Sequence, residues 1–148
     1  FTEAILAGRP IDVYNYGNMR RDFTYIDDIV DGILRLVPHL PESNAHWAGE
    51  SEPTPARYQI HNIGSSQPAT LLSFIETLEN CLGKVARKNM LPLQPGDVLE
   101  TYADIEALRQ AVGFEPKTSI QQGLQQFVDW YQRYYGLRHA GSPLLTAS

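Results

Sequence analysis

The residues best suited to hold something charged are Arg20 and Arg21, adjacent in the stretch GNMRRDFTYIDD from Gly17 to Asp28. Each guanidinium presents a rigid fork of donors that meets carboxylate or phosphate oxygens two at a time. Buried without anions the pair would be strongly destabilising, so the two cations are either solvated or matched to a multiply charged ligand. A second candidate is the turn QPGD, Gln94 to Asp97. Its ionised aspartate is a pure acceptor, fit for ligand hydroxyls, yet the same four residues also read as an ordinary Pro-Gly turn. Other chemistries lack their signatures. His39, His46, His61 and His139 are scattered and no His/Cys pair has ligand spacing, so no metal site is expected. The sequence contains no G-x-S-x-G elbow, no G-x-x-x-x-G-K-[ST] loop and no G-x-G-x-x-G turn. Cys81 has no second cysteine or histidine to activate it and reads as a small hydrophobe near the core.

Composition bounds the partners. A chain of 148 residues with 43% apolar content can bury one core. A net charge of −5 argues against a broad phosphate-neutralising surface, so no nucleic-acid partner is expected. No apolar run approaches the length that crosses a bilayer and no secretory pattern opens the chain, so no membrane contact is expected. One cysteine and no Asn-x-Ser/Thr acceptor fit a reducing, cytoplasmic setting.

The elements that must position these residues alternate between strand and helix, which gives an α/β class with short strands and amphipathic helices. FTEAILAG opens directly on helical periodicity, as though cut from something longer, and Gly8 stops it. Ile11 to Asn15 reads as a strand, Asp22 to Ile26 as another, and the latter runs into a helix that Asp27 or Asp28 caps and Pro38 ends. Residues 38–57 read as a long loop, and Tyr58 to Gly64 as a buried strand. The stripe Leu71, Ile75, Leu78 and Leu82 predicts a helix ended by Gly83, and KNMLPLQPGDV reads as extended. Asp104 is placed as N-cap for Ile105, Leu108 and Val112, with Gly113 as stop. The final helix is predicted with Thr118 and Gln121 at capping-box spacing and with Ile120, Leu124, Phe127, Val128 and Tyr131 on one face. The aromatics Trp130, Tyr131, Tyr134 and Tyr135 read as packing. Residues 1–136 form the folded region and 137–148 a flexible tail.

Taken together, IDVYNYGNMRRDFTYIDDIVDGI, YQIHNIG, LPLQPGDVLETYADIEAL and VGFEPKTSIQQGLQQFVDWY resemble, in order and spacing, the C-terminal half of the extended short-chain dehydrogenase/reductase family. Within it they most resemble UDP-glucuronate 4-epimerases, and more distantly UDP-galactose 4-epimerase and dTDP-glucose 4,6-dehydratase. The resemblance implies the substrate-binding part of such an enzyme, lacking the main NAD-binding Rossmann half. It places Arg21 on the pyrophosphate of a UDP-sugar, Tyr14 with Val13 beside the uracil, and Asp97 on the ribose hydroxyls. Gln94 takes the position where galactose epimerases carry a second phosphate-binding arginine. Arg20 is expected to face solvent or a neighbouring segment. Leu99 stands where the family often has proline, which loosens the turn without touching a ligand group.

The same resemblance puts catalysis elsewhere. Family members bind NAD through an N-terminal glycine-rich turn and use a Tyr-x-x-x-Lys pair, whose tyrosine takes the C4 hydroxyl proton. Here the lysines are Lys84, Lys88 and Lys117, and Asn80, Lys84 and Gly113 stand four residues before them. No catalytic residue or NAD ligand is therefore expected in this chain, which alone should be inactive. The longer protein should pair with the missing Rossmann half, use NAD and form a homodimer. A 4,6-dehydratase or decarboxylase acting on a nucleotide sugar is the enzymatic alternative, and a non-catalytic binding module the other.

Overall fold

The computed structural model describes residues 1–41 and 58–137. Most of the loop predicted at 38–57, almost all of the tail predicted at 137–148, and His46 and His139 lie outside the described residues. The elements run α1 (Thr2–Leu6), β1 (Ile11–Val13), a 3-10 turn (Tyr14–Gly17), β2 (Arg20–Arg21), α2 (Ile26–Leu36), β3 (Ala69–Thr70), α3 (Leu71–Leu82), β4 (Lys88–Met90), α4 (Glu106–Val112) and α5 (Ile120–Tyr134). They gather into two compact units that interleave along the chain.

The first unit holds residues 1–18, 70–97 and 119 onward. Its β1 and β4 pair in parallel, with Ile11, Asp12 and Val13 opposite Lys88, Asn89 and Met90. Helices α3 and α5 pack together and α1 packs on α3. The core is apolar throughout: Ile5, Ile11, Val13, Ile75, Leu78, Leu82, Ala86, Leu124 and Val128 are buried in one cluster. Fully burying a side chain such as Ile75 or Val128 is worth about 1.5–3 kcal/mol. The ends of the helices are closed locally. The Thr70 hydroxyl accepts from the Ser73 amide, and Gly83 ends α3 in the left-handed region at φ 63°. The capping box of α5 is formed by Ser119 and Gln122, one residue beyond the predicted Thr118 and Gln121. The buried face of α5 follows Gly123, Leu124, Val128 and Gln132, so Phe127, expected inside, is exposed. Trp130, Tyr134 and Tyr135 are exposed as well, and they stack on neighbours along the helix surface rather than filling the core. Cys81 borders the core as expected. Burial, and then the Asp129 carboxylate, pushes its thiol pKa up, away from reactivity.

The second unit holds residues 19–69 and 98–118. Its apolar cluster is small, with Ile105, Leu108 and Phe114 buried and Leu36, Ile63, Ala103 and Val112 packed around them. Helix α2 comes within reach of Phe114 because Gly32 has no side chain; a Cβ there would meet the Phe114 ring at 3.1 Å. Several expectations change in this unit. The segment Asp22 to Ile26 is not a strand: β2 ends at Arg21 and α2 already begins at Ile26, with Tyr25 as N-cap. Neither Asp27 nor Asp28 caps α2 through its side chain. Asp28 is buried and accepts instead from the amides of Lys117, at 3.3 Å, and Thr118, at 3.0 Å. Helix α4 has Ile105 at its N-cap, while Asp104 accepts from the Glu106 amide at 3.0 Å. Tyr58 to Gly64, predicted as a strand, forms no ladder among the described residues.

Candidate functional site

In the first unit the predicted residues leave one edge. β1 and β4 are parallel, and their carboxyl ends lead into the 3-10 turn and into Leu91 to Asp97, the edge of a parallel sheet where ligands of open α/β folds bind. The Leu91 amide donates to the Val13 carbonyl at 2.9 Å, and the Tyr16 amide donates to the Leu91 carbonyl at 3.0 Å, which locks the two departing segments together. Tyr14 is half-buried at the start of this edge. Val13 is fully buried in the core, so it supports the edge from below and presents no side chain to a ligand. After Tyr14 the backbone enters the left-handed region three times running, at Asn15 (φ 49°), Tyr16 (φ 51°) and Gly17 (φ 80°). Two of these residues are not glycine, a conformation that costs of order 1 kcal/mol or more each and that clusters at binding sites. The Asn15 amide nitrogen holds the bend by donating to the Asn18 carbonyl at 2.7 Å. At the other exit the Asp97 amide donates to the Gln94 carbonyl at 3.2 Å across Pro95 and Gly96, with Gly96 at φ 84°. Proline followed by a positive-φ glycine is the type II pattern, and it leaves the side chains of Gln94 and Asp97 exposed at its two ends. A cleft of about 290 Å³ also occurs in this unit, but Phe1, Thr2, Phe74, Leu78, Leu124 and Phe127 line it and give it no charged group.

Arg21 belongs to the second unit, where its position is dictated by backbone. Its Nη1 donates to the Arg20 carbonyl at 2.9 Å and to the Leu99 carbonyl at 3.3 Å. Arg20 is engaged with neighbouring segments, as expected: its Nε pairs with Glu100 at 3.0 Å and its Nη2 donates to the Pro68 carbonyl at 2.9 Å. An exposed pair of this kind is worth about 1 kcal/mol at most. The Arg20 amide and carbonyl bond to Leu99 and Thr101, so the arginine dipeptide is stitched to the segment that follows the QPGD turn.

The residue that sequence reasoning missed is Asp22. Its carboxylate accepts from the Ser65 hydroxyl and from the amides of Ser65 (3.2 Å), Ser66 (3.1 Å) and Ala103 (3.0 Å). Burial raises its pKa, but the Ser65 hydroxyl and then the amides of Ala103, Ser66 and Gln67 outweigh that and hold it below the usual carboxylate value. Gly64 permits this approach, since a Cβ there would lie 2.4 Å from the Ala103 Cβ and 2.8 Å from Asp22 Oδ2. Three segments therefore converge on the residue next to Arg21. The available signal was an acidic residue beside two cations, with Gly-Ser-Ser later in the chain, and a strand pattern masked it. Among the described residues no group of three or more His, Cys, Asp or Glu could hold a metal ion, and no helix is long and apolar enough to cross a membrane.

Comparisons with known proteins find relatives over most of the chain. Residues 1–49 match the family model described as the NAD dependent epimerase/dehydratase family. Protein CapI of Staphylococcus aureus is 52% identical over 139 residues, a match spanning 91% of this chain and 41% of that protein. A probable UDP-glucuronate 4-epimerase of Rhizobium meliloti is 42% identical over 144 residues, spanning 94% of this chain and 42% of the relative. The crystal structure of UDP-glucuronic acid 4-epimerase from Bacillus cereus in complex with UDP-glucuronic acid and NAD superposes with a TM-score of 0.72 at 28% identity, covering 90% of this chain and 38% of that one. The α/β chain is thus similar to the NAD dependent epimerase/dehydratase family over residues 1–49 and carries the extended short-chain dehydrogenase/reductase epimerase fold over the part it spans. It spans about two fifths of the length of the curated relatives it matches. Within the family its likeness includes UDP-glucuronate 4-epimerases.

Proposed function

We propose that this chain is the nucleotide-sugar-binding part of an NAD-dependent UDP-glucuronate 4-epimerase. The observation that carries the reading is the match, over nine tenths of the chain, to an epimerase structure in complex with UDP-glucuronic acid and NAD. The chain's own residues suit the substrate end of that reaction. Arg21 meets the diphosphate, with a guanidinium whose Nη1 is held by the Arg20 and Leu99 carbonyls. Asp97, at the end of a rigid Pro-Gly turn, accepts from the ribose hydroxyls, Gln94 stands at the diphosphate without adding a charge, and Tyr14 borders the uracil. In this reading NAD, bound outside this chain, supplies the acceptance and return of a hydride at sugar C4. This part contributes positioning: the nucleoside diphosphate stays fixed while the 4-keto sugar turns between oxidation and reduction, an effect of orientation on rate. The chain alone would not turn substrate over, and the longer protein would work in the cytoplasm as a homodimer.

The test is Arg21→Ala in the longer protein. UDP-glucuronate affinity is expected to weaken by about 1.5–3 kcal/mol, the worth of a charge-assisted hydrogen bond. Calorimetry showing unaltered UDP affinity would remove Arg21 from the site. Turnover of UDP-glucuronate followed by NMR identifies the reaction: a C4-inverted product supports the epimerase, whereas a 4-keto-6-deoxy or decarboxylated product assigns the dehydratase or decarboxylase chemistry instead.

A further inference from the structure

The hydrogen bonds of Arg21 and those of Asp22 meet in one stretch of chain. The Leu99 carbonyl, which accepts from Arg21 Nη1 at 3.3 Å, opens the segment from Leu99 to Ala103, and the Ala103 amide that closes it donates to Asp22 Oδ2 at 3.0 Å. Between these ends the Thr101 amide donates to the Arg20 carbonyl at 3.2 Å, and the Asp22 amide donates to the Thr101 hydroxyl at 3.0 Å. The segment is thus pinned along its length to residues 20–22. The bond at Ala103 ends on a carboxylate and is roughly twice as strong as a neutral one.

The carboxylate is itself held from the other side. Ser65 and Ser66 point their amides at it, at 3.2 Å and 3.1 Å, and the Ser65 hydroxyl donates to it as well. Ser66 stands at φ 54°, in the left-handed region, and successive amides in such a bend form a concavity for an anion. Its hydroxyl donates to the Ala103 carbonyl at 2.5 Å, so the bend and the end of the 99–103 segment are bonded to each other as well as to Asp22. A non-glycine residue persists in this conformation where its surroundings over-determine it, and such strain gathers at sites that must keep one geometry. The concavity is filled by the chain's own carboxylate, so its effect falls on what Asp22 is joined to.

We infer that Asp22 is a positioning residue for Arg21: seated in the bend at 64–66, its carboxylate holds the Leu99 to Ala103 segment in place, and the Leu99 carbonyl at the far end of that segment sets the direction of the guanidinium toward a diphosphate. This rests on the proposed function, in which Arg21 meets that diphosphate. Asp22 touches no substrate in this reading and acts through the backbone. A guanidinium whose carbonyl acceptor wanders must be ordered at the moment of binding, and the ordering is subtracted from the affinity.

The experiment is a double-mutant cycle in the longer protein, read by titration with UDP and, separately, with uridine, which lacks the diphosphate. Asp22→Asn is expected to weaken UDP binding about tenfold and uridine binding less than about twofold, because only the diphosphate meets Arg21. In an Arg21→Ala background the same change should cost UDP affinity less than about twofold. Asp28→Asn removes another carboxylate that takes two amides in the same unit, and it should leave both affinities unchanged. If Asp22→Asn does not fold, Ser65→Ala carries the test: it deletes one donor to the carboxylate, keeps the charge, and should weaken UDP binding alone by about threefold. Equal losses for UDP and uridine, a full effect of Asp22→Asn without Arg21, or an equal loss in Asp28→Asn would make Asp22 a merely structural residue and overturn the inference. Unaltered UDP affinity in Asp22→Asn, or in Ser65→Ala where that variant stands in for it, would overturn it too. Arg21→Ala alone separates the two readings: a loss of UDP affinity there with none from Asp22→Asn sinks the positioning role and leaves the proposed function standing, whereas no loss from Arg21→Ala removes the diphosphate role itself.

Discussion

Around Ile75 and Val128 nine buried apolar side chains form one cluster, whereas around Phe114 the buried cluster holds three, and the rest of that unit is organised by carboxylates. Asp22 gathers the amides of residues 65, 66 and 103, and Asp28 those of residues 117 and 118. The two arginines stand in the second, polar unit. The difference has a physical reason. Dispersion and apolar burial hold a scaffold but are non-directional, while a guanidinium is useful only if the backbone that carries it is fixed in direction. Hydrogen bonds to ionised carboxylates supply that direction, and they make the unit sensitive to charge and to acid.

The largest effects should come from truncating each core. Ile75→Ala is expected to cost about 2–5 kcal/mol and Phe114→Ala about 3–5 kcal/mol. What distinguishes the units is where protection is lost. Hydrogen exchange of Phe114→Ala should show α2 and α4 opening while α3 and α5 stay protected. Uniform loss across all four helices would mean that the two clusters unfold as one, and the contrast drawn above would fail.

Next in size is Gly64→Ala. Its new methyl would sit 2.4 Å from the Ala103 Cβ and 2.8 Å from an Asp22 oxygen, neither of which lies at the end of a long flexible side chain. A loss of about 1–3 kcal/mol in urea denaturation is expected, as for overpacking. A neutral result would show that residues 101–103 move aside freely and do not constrain Asp22.

Acid separates the contributions further. Because the folded-state pKa of Asp22 is depressed, its stabilisation is complete above the ordinary value of 3.8 and disappears as pH falls through the lower folded value. Glu79 in the first unit carries the same sign: burial raises it, but the Lys88 ammonium and the Ala86 amide lower it further. Asp22→Asn is expected to cost about 1–3 kcal/mol at neutral pH, because the amide NH2 cannot accept from the donors that one carboxylate oxygen takes and the remaining oxygen is a neutral acceptor. It should also flatten the acid dependence of exchange in the second unit while leaving that of the first, where Glu79 persists. Identical pH profiles for wild type and Asp22→Asn would show that the carboxylate is not the group that matters there.

What was legible in the sequence, and what was not, follows the same division. Glycine stops were readable because a left-handed C-cap is a local requirement: Gly83 and Gly113 adopt φ 63° and φ 64°. The turn at Gln94 to Asp97 and the helical register of α3 and α4 were readable for similar reasons. Asp22 was not, because its partners lie more than 40 residues away and no local pattern announces them. Periodicity announced α2 as a helix but could not tell whether this chain covers its apolar residues, since a hydrophobic face says only that something does. Of the residues assigned by resemblance, Tyr14, Gln94 and Asp97 leave the carboxyl edge of the β1–β4 pair, while Val13 is core; their contacts with a nucleotide sugar are proposals that the ligand titrations decide.

The smallest prediction concerns the one cap whose register shifted. A Thr followed three residues later by a glutamine is also present at Thr118 and Gln121, so pattern alone does not choose between two overlapping boxes. Backbone bonding chooses: the Thr118 amide is taken by Asp28, which ends the second unit's hold on the chain, and Ser119 is the first residue free to cap α5. Ser119→Ala should therefore cost about 1 kcal/mol in thermal or urea unfolding, and Thr118→Ala less than about 0.5 kcal/mol. The reverse order would make Thr118 the cap and start α5 one residue earlier, against the box seen at Ser119 and Gln122.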